Sequence, residues 1–286
     1  MTIRGALLAM AVALAAMAGA AFAGPFEDAD AALARRDYAS ALRLFRKLAG
    51  EGHTTAQAKL GLLYEFVWGT PQDYAAALKW YRVAADKGFG GAQNNLGVMF
   101  ENGLGVTRSY TEAVKWYRRA ADLDYAEAQS NLGNMYEKGL GVAENHATAV
   151  SLYRLAAEQG YAPAQTRLAG MYQKGSGVPQ DDVEAVRLYR RAADQGDTFA
   201  QNNLGVMYAT GHAVPQDYVQ AYAWFSVSLA LGNDVSAKNR ERVAALMTPN
   251  QIAEAGKIAS EWRPGSSPAA SITIRPMKNG MPLEHK

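Results

Sequence analysis

The chain has 286 residues, of which 49% are apolar and 20% charged, with a formal net charge of +2. Such a balance should fold over most of its length and gives no bulk attraction to nucleic acid or anionic lipid. The sequence holds no cysteine, which excludes disulfides, thiolate metal sites and a lipid-modified cysteine anchor.

The first 23 residues read as a cleavable secretory signal. Arg4 supplies the positive start, "ALLAMAVALAAMAGA" the apolar stretch, and Ala21-Phe22-Ala23 the small-x-small pattern that a signal peptidase cuts. The apolar run is short and alanine-rich for a membrane span. Cleavage before Gly24 would leave a periplasmic or secreted protein without a stable membrane anchor, and losing Arg4 lowers its charge to +1. Residues 24–37, "GPFEDADAALARRD", read as a capping helix.

From residue 38 the sequence repeats itself with a period of 36 residues and no insertions. Units start at 38, 74, 110, 146, 182 and 218, the sixth being divergent, and the array runs over 38–232. A period in the thirties predicts an all-α solenoid of antiparallel helix pairs. Asp37, Asp73, Ser109, Asn145, Asp181 and Asp217 stand before the first helix of successive units, each able to accept a hydrogen bond from a first-turn amide. Gly52, Gly88, Gly160, Gly196 and Gly232 close that helix, with Asp124 as the exception. The second helix of the 74–109 unit is expected from about Gly91 to Phe100. It carries Gly97, and Gly61, Gly133 and Gly205 fill the same slot, Ala169 once. A glycine inside a helix costs about 1 kcal/mol relative to alanine, so four of them predict close helix approach. Ala41, Ala77, Ala113, Ala149, Ala185 and Ala221 form an invariantly small column, and Tyr81, Tyr117, Tyr153, Tyr189 and Phe225 are expected to fill the wedge between units.

These residues carry a resemblance. The pattern "AxxxLGxxY…GxGV…D…A…WYxxAA…G", as in Ala128 to Gly160, resembles the Sel-one-like repeat, a relative of the tetratricopeptide repeat, over roughly 38–232. The resemblance implies right-handed superhelices whose first helices line a concave side, and adaptor work in envelope assembly, signalling or host contact. Some secreted members are disulfide-stapled and linked to β-lactam or peptidoglycan binding or hydrolysis. This chain has nothing to staple, and it lacks S-x-x-K, K-T-G and G-x-S-x-G sequences.

Residues 233–262 read as C-terminal capping helices: "VSAKNRERVAALM", then "TPNQIAEAGKIASEW", in which Thr248, Pro249 and Gln251 make a capping box. Ile252, Ala255, Ile258, Ala259 and Trp262 form its inward stripe. Residues 263–286, rich in proline, glycine and serine, read as a flexible tail.

The search for chemistry is short. His53, His146 and His212 fall at helix ends or turns and His285 in the tail, with no metal-ligand spacing. Glu65, Glu101 and Glu137 share a column that Gln173 and Ala209 break, and read as solvated helix ends. No catalytic residue, cofactor or metal is expected, and the chain reads as a non-enzymatic scaffold for a protein or peptide, not nucleic acid. The candidate contacts are basic: Arg82, Arg118, Arg154 and Arg190 in one column, with Lys79 and Lys115 three residues earlier. Arginine forks grip carboxylates, although Arg82–Asp86, Arg118–Asp122, Arg154–Glu158 and Arg190–Asp194 have the i, i+4 spacing of intrahelical pairs. Trp80, Trp116 and Trp224 read as core. Val83, Arg119, Leu155 and Arg191, which vary from copy to copy, are the candidates for specificity.

Overall fold

A computed structural model describes residues 24–66, 71–265, 277–278 and 281–282. The expected signal at 1–23 lies outside the described residues, as does most of the expected tail. Within the tail, Met277–Lys278 pairs antiparallel with Met281–Pro282. The chain divides into two compact units, Met1–Leu123 and Asp124–Lys286.

The first unit contains α1 (Pro25–Ala34), α2 (Tyr38–Gly50), α3 (Thr54–Glu65), α4 (Tyr74–Asp86), α5 (Gly90–Asn102) and α6 (Tyr110–Ala121). The second contains α7 (Ala126–Lys138), α8 (His146–Glu158), α9 (Ala162–Lys174), α10 (Asp182–Asp194), α11 (Thr198–Thr210), α12 (Tyr218–Ala230), α13 (Val235–Ala244) and α14 (Pro249–Glu261). Both are of the all-α solenoid class, helix packing on helix in chain order. Among the described residues no helix is long and apolar enough to cross a membrane.

Local sequence accounts for where the helices start and stop. All six residues expected before the first helices accept a hydrogen bond from the third residue of the helix they open, as Asp73 does from the Ala76 amide at 2.9 Å. Thr248 and Gln251 form the reciprocal capping box. After α4, Gly88 turns the chain with φ +82°, and Asp124 adopts the same left-handed region at +57°, a conformation that aspartate tolerates better than most residues. α5 spans Gly90–Asn102, a little longer at each end than the apolar spacing predicts, because Phe89 opens it and Gly103 closes it in the left-handed region.

The more extensive packing joins each second helix to the first helix that follows: α3 to α4 and α5 to α6 in one unit, α7 to α8, α9 to α10 and α11 to α12 in the other. Glycine makes these contacts possible. A methyl group at Gly61 would stand 2.6 Å from the Tyr81 ring, at Gly133 2.8 Å from Tyr153 and at Gly205 2.7 Å from Phe225; Gly97 is held likewise by Tyr117. All five aromatics are buried, and the six alanines of the small column have no exposed surface. Burying an aromatic ring contributes more than the helix propensity that glycine sacrifices.

The cores follow from this stacking. In the first unit one cluster runs from Ala29 on α1 to Leu63, and another is built on Tyr81, Leu96 and Met99. In the second unit one cluster extends from Ala149 to Trp262. Of the stripe expected on α14, Ala255 and the following Trp262 are buried and Ile252, Ile258 and Ala259 are half-buried.

A second repeated device escaped the sequence reading. Gln57, Gln93, Gln165 and Gln201 each donate their side-chain amide to a carbonyl eight residues back, that of Ala49, Ala85, Ala157 and Ala193, at 3.0–3.2 Å. Each gives a second donor to a carbonyl in the last turn of the preceding helix that also accepts the amide of the glycine three residues on.

Candidate functional site

The carboxylates at the ends of the second helices are not free helix ends, which corrects the sequence reading: Glu65 is buried, Glu101 and Glu137 are half-buried, and each is engaged by a tyrosine. The Tyr81 hydroxyl donates to Glu65 Oε2, Tyr117 to Glu101 and Tyr153 to Glu137, each at 2.6 Å. Glu65 is only 8% exposed. Burial raises its carboxyl above the ordinary value near 4.5, with the Tyr81 hydrogen bond opposing. Burial first, and then the carboxylate, drives the Tyr81 and Tyr153 hydroxyls far above their ordinary range, so both stay protonated donors. The sequence reading failed here because the tyrosine sits on the next helix, 16 residues downstream.

The first-helix basic residues form local groups. In the first unit Lys79, Arg82 and Val83 line a shallow depression of about 370 Å³ with Leu78 and Asp86. Lys79 lies 5.8 Å from the Trp80 ring centroid, and Arg119 lies 4.6 Å from that of Trp116. Lys115 is paired with Glu112 at 2.6 Å, and Arg118 is exposed. In the second unit Arg154 and Arg191 line a depression of about 150 Å³ with Arg187, Glu158, Glu184 and Tyr172. Leu155 is 48% exposed beside it in sequence. Trp224 is buried, whereas Trp80 and Trp116 are half-buried against the core.

For Arg154 the i, i+4 pairing is not what engages the guanidinium. Among the described residues no ion pair joins Arg82 to Asp86 or Arg154 to Glu158. Instead Arg154 donates to the Tyr172 hydroxyl at 3.1 Å and Arg190 to that of Tyr208 at 2.9 Å, as Arg46 does to Tyr64 in the first unit. The guanidinium reaches across the helix pair because a hydroxyl recurs 18 residues on; Phe100 offers Arg82 none.

A cleft of about 630 Å³ in the second unit lies on the second helices. Successive copies supply its walls: Glu137 at the end of α7, Pro163, Arg167 and Lys174 on α9, and Phe199 and Asn203 on α11, with Asp197 capping α11 and the buried Tyr189 of α10. The Tyr189 hydroxyl donates to Gln173 Oε1 at 3.1 Å, and Gln173 Nε2 faces Met207 Sδ at 3.4 Å. Burial pushes the Tyr189 hydroxyl up to about 12. Arg167 stands 3.9 Å from Glu137 and 6.0 Å from the Tyr153 ring centroid. Phe199 is 65% exposed. Arg167 occupies the slot that Asn95, Asn131, Asn203 and Asn239 hold in other copies and that Lys59 holds in the first. A further groove of about 660 Å³, with Leu231, Ala259 and Trp262 in its walls, lies at the C-terminal end of the same unit.

One arrangement has the composition of a nucleophilic relay. His146 Nδ1 contacts Ser176 Oγ, and its Nε2 faces Glu144 Oε1 at 3.2 Å. The Glu144 side chain is 63% exposed, and none of the three residues lines a cleft described above. Nucleophilic catalysis needs a substrate seat and donors aimed at the developing oxyanion. The contact ties the turn after α9 to the start of α8, where Gly177 packs on His146 as Gly105 packs on Tyr74 in the first unit. Among the described residues no group of three or more His, Asp and Glu side chains is placed to hold a metal ion.

Comparison with known proteins agrees with this geometry. The Sel1 repeat model matches residues 29–53, 54–89, 91–125, 126–161, 162–197 and 198–233, so its units begin at the second helix, in phase with the tighter packing. A protective antigen of uropathogenic Escherichia coli displaying an SLR fold is 36% identical with a TM-score of 0.66, covering 78% of this chain and 50% of that one. This chain thus spans about half the length of that antigen. A Sel1 repeat protein from Oxalobacter formigenes is 29% identical with a TM-score of 0.72, over 82% and 98% of the two chains. An immunity protein from Pseudomonas aeruginosa, 22% identical with a TM-score of 0.52 over 79% and 87%, shares the fold. Among curated proteins no match is found.

Proposed function

The chain belongs to the Sel1 repeat family, and from that premise we propose that it is a non-enzymatic scaffold of the envelope or of the secreted fraction, holding a protein or peptide partner against exposed helix faces. Sel1 repeats commonly mediate protein–protein interaction and are generally non-catalytic. The observation that carries the reading is the second-helix cleft of about 630 Å³, to which three successive copies contribute walls and in which an exposed Phe199 stands beside polar side chains. Exposed aromatics in a concave, partly polar site are typical of recognition surfaces.

Export rests on the composition of residues 1–23 and is checked by N-terminal sequencing of the protein from a periplasmic fraction, with Gly24 as the expected first residue. Binding is tested by affinity capture from envelope extract with the immobilised chain, followed by cross-linking. A partner retained by the wild type and lost with Phe199→Ser assigns contact to the second-helix cleft. Loss with Arg154→Ala or Arg191→Ala assigns it to the basic depression on the first helices. Turnover of a cell-wall substrate without any retained partner refutes the scaffold reading.

A further inference from the structure

Resting on the scaffold reading but not on the second-helix cleft, we infer that the first-helix face of the first unit is a docking surface for an acidic protein segment. Arg43, Arg46 and Lys47 stand on α2, and Lys79 and Arg82 on α4. Lys115, Arg118 and Arg119 follow on α6. These cations fill three slots spaced i, i+3 and i+4, so each helix presents them on one face. All eight are exposed. Over the stretches 38–50, 74–86 and 110–122 only three acids oppose them, Asp86, Glu112 and Asp122.

The excess is not neutralised locally. Glu112 is taken by Lys115 at 2.6 Å, but Arg46 donates to the neutral Tyr64 hydroxyl, and Lys79 and Arg119 lie over the Trp80 and Trp116 rings. Among the described residues Arg43, Arg46, Lys47, Lys79, Arg82 and Arg119 form no ion pair. Nor is the excess a requirement of the repeat. The corresponding stretches of the second unit, 146–158, 182–194 and 218–230, hold four cations, Arg154, Arg187, Arg190 and Arg191, against four acids, Glu158, Asp182, Glu184 and Asp194. The helix pairs form equally well there. Like charge gathered on one face repels itself, and a partner of opposite charge relieves that repulsion.

The depression of about 370 Å³ on α4 selects the class of anion. Leu78 and Val83 line it together with Lys79, Arg82 and Asp86, so aliphatic carbon lies between the two cations. A peptide that mixes aliphatic side chains with aspartate or glutamate uses both features, the carboxylates meeting the arginine and lysine. A uniformly charged polymer would leave the apolar floor uncovered.

The test pans displayed random heptapeptides on the immobilised full chain, in parallel with two double variants. Lys79→Ser with Arg82→Ser removes charge from the first-unit face, using the residue that Ser151 and Ser226 place in those slots elsewhere. Arg187→Ser with Arg191→Ser removes the same charge from the second unit. Circular dichroism checks that both fold. The wild type should enrich acid-containing peptides at least tenfold over their amide counterparts, the first pair should lose at least about fivefold of that, and the second pair should stay within about twofold of wild type. No acidic enrichment, or equal loss from both pairs, overturns the proposal. Tighter retention of phosphatidylglycerol vesicles than of the selected peptides, at about 150 mM salt, would make a lipid surface the occupant and overturn the peptide assignment. Capture of an envelope protein unchanged by Lys79→Ser with Arg82→Ser, without acidic enrichment, leaves the scaffold reading standing and removes this inference.

Discussion

The two units treat the same packing position differently. In the first, Tyr81 and Tyr117 each end on a carboxylate, Glu65 and Glu101, at 2.6 Å, and only Phe45, in the first copy, brings no hydroxyl. In the second the partner changes with each copy: Glu137 for Tyr153, Gln173 for Tyr189, and Ala209 opposite Phe225, where no hydroxyl remains. The aromatic ring stays buried in every case. Ring volume against a small residue is therefore what spaces the helices, and the polar end of the contact can vary without loss of the array. The cleft with Arg167 lies where that variation occurs.

The largest test of this contrast is a pair of alanine substitutions. Gly97→Ala drives a methyl group into the buried Tyr117 ring and should destabilise by about 2 kcal/mol, even after the ~1 kcal/mol that alanine gains in a helix. At Gly170 the added methyl would meet only the Tyr189 hydroxyl, at an ordinary 3.6 Å. Gly170→Ala should therefore stabilise, by about 0.5–1 kcal/mol. Urea denaturation measures both, and equal signs would refute the account of the glycine column.

Removing hydroxyls gives the next effect. Tyr81→Phe strands the buried Glu65 carboxyl and should cost about 1–2 kcal/mol, whereas Tyr189→Phe, facing the neutral Gln173, should cost about 1 kcal/mol or less. The smallest effect is in pH. Because burial raises the Glu65 carboxyl, the folded chain keeps that proton to higher pH than the unfolded chain does. The stability from Glu65 is complete below the ordinary value near 4.5 and is lost as pH rises through the folded value. Wild type should gain on Glu65→Gln between pH 8 and pH 4 in chemical denaturation. The opposite slope would mean that the folded state favours the charged form.

Much of this was legible in the sequence. The six caps, the glycine slot and the aromatic column depend on short-range spacing within a repeat, and each was placed where the structure has it. What was missed involves a neighbouring helix. Glu65 looked like a solvated helix end because its tyrosine lies on the next helix, and Arg154 looked paired with Glu158 because Tyr172 is 18 residues away. Gln57 and its equivalents were visible as a column, but only the preceding helix end shows what they bind. Lys59 and Arg167 are the two cations of a column otherwise filled by asparagine, and only the structure shows the acids they face, Asp30 and Glu137.

Hydrogen exchange on the full chain, with and without its captured partner, tests the central claim most directly. Protection concentrated on α9 and α11, weakened by Phe199→Ser, is the result the binding account predicts. Protection confined to the turns around His146 and Ser176, accompanied by substrate turnover, would contradict it.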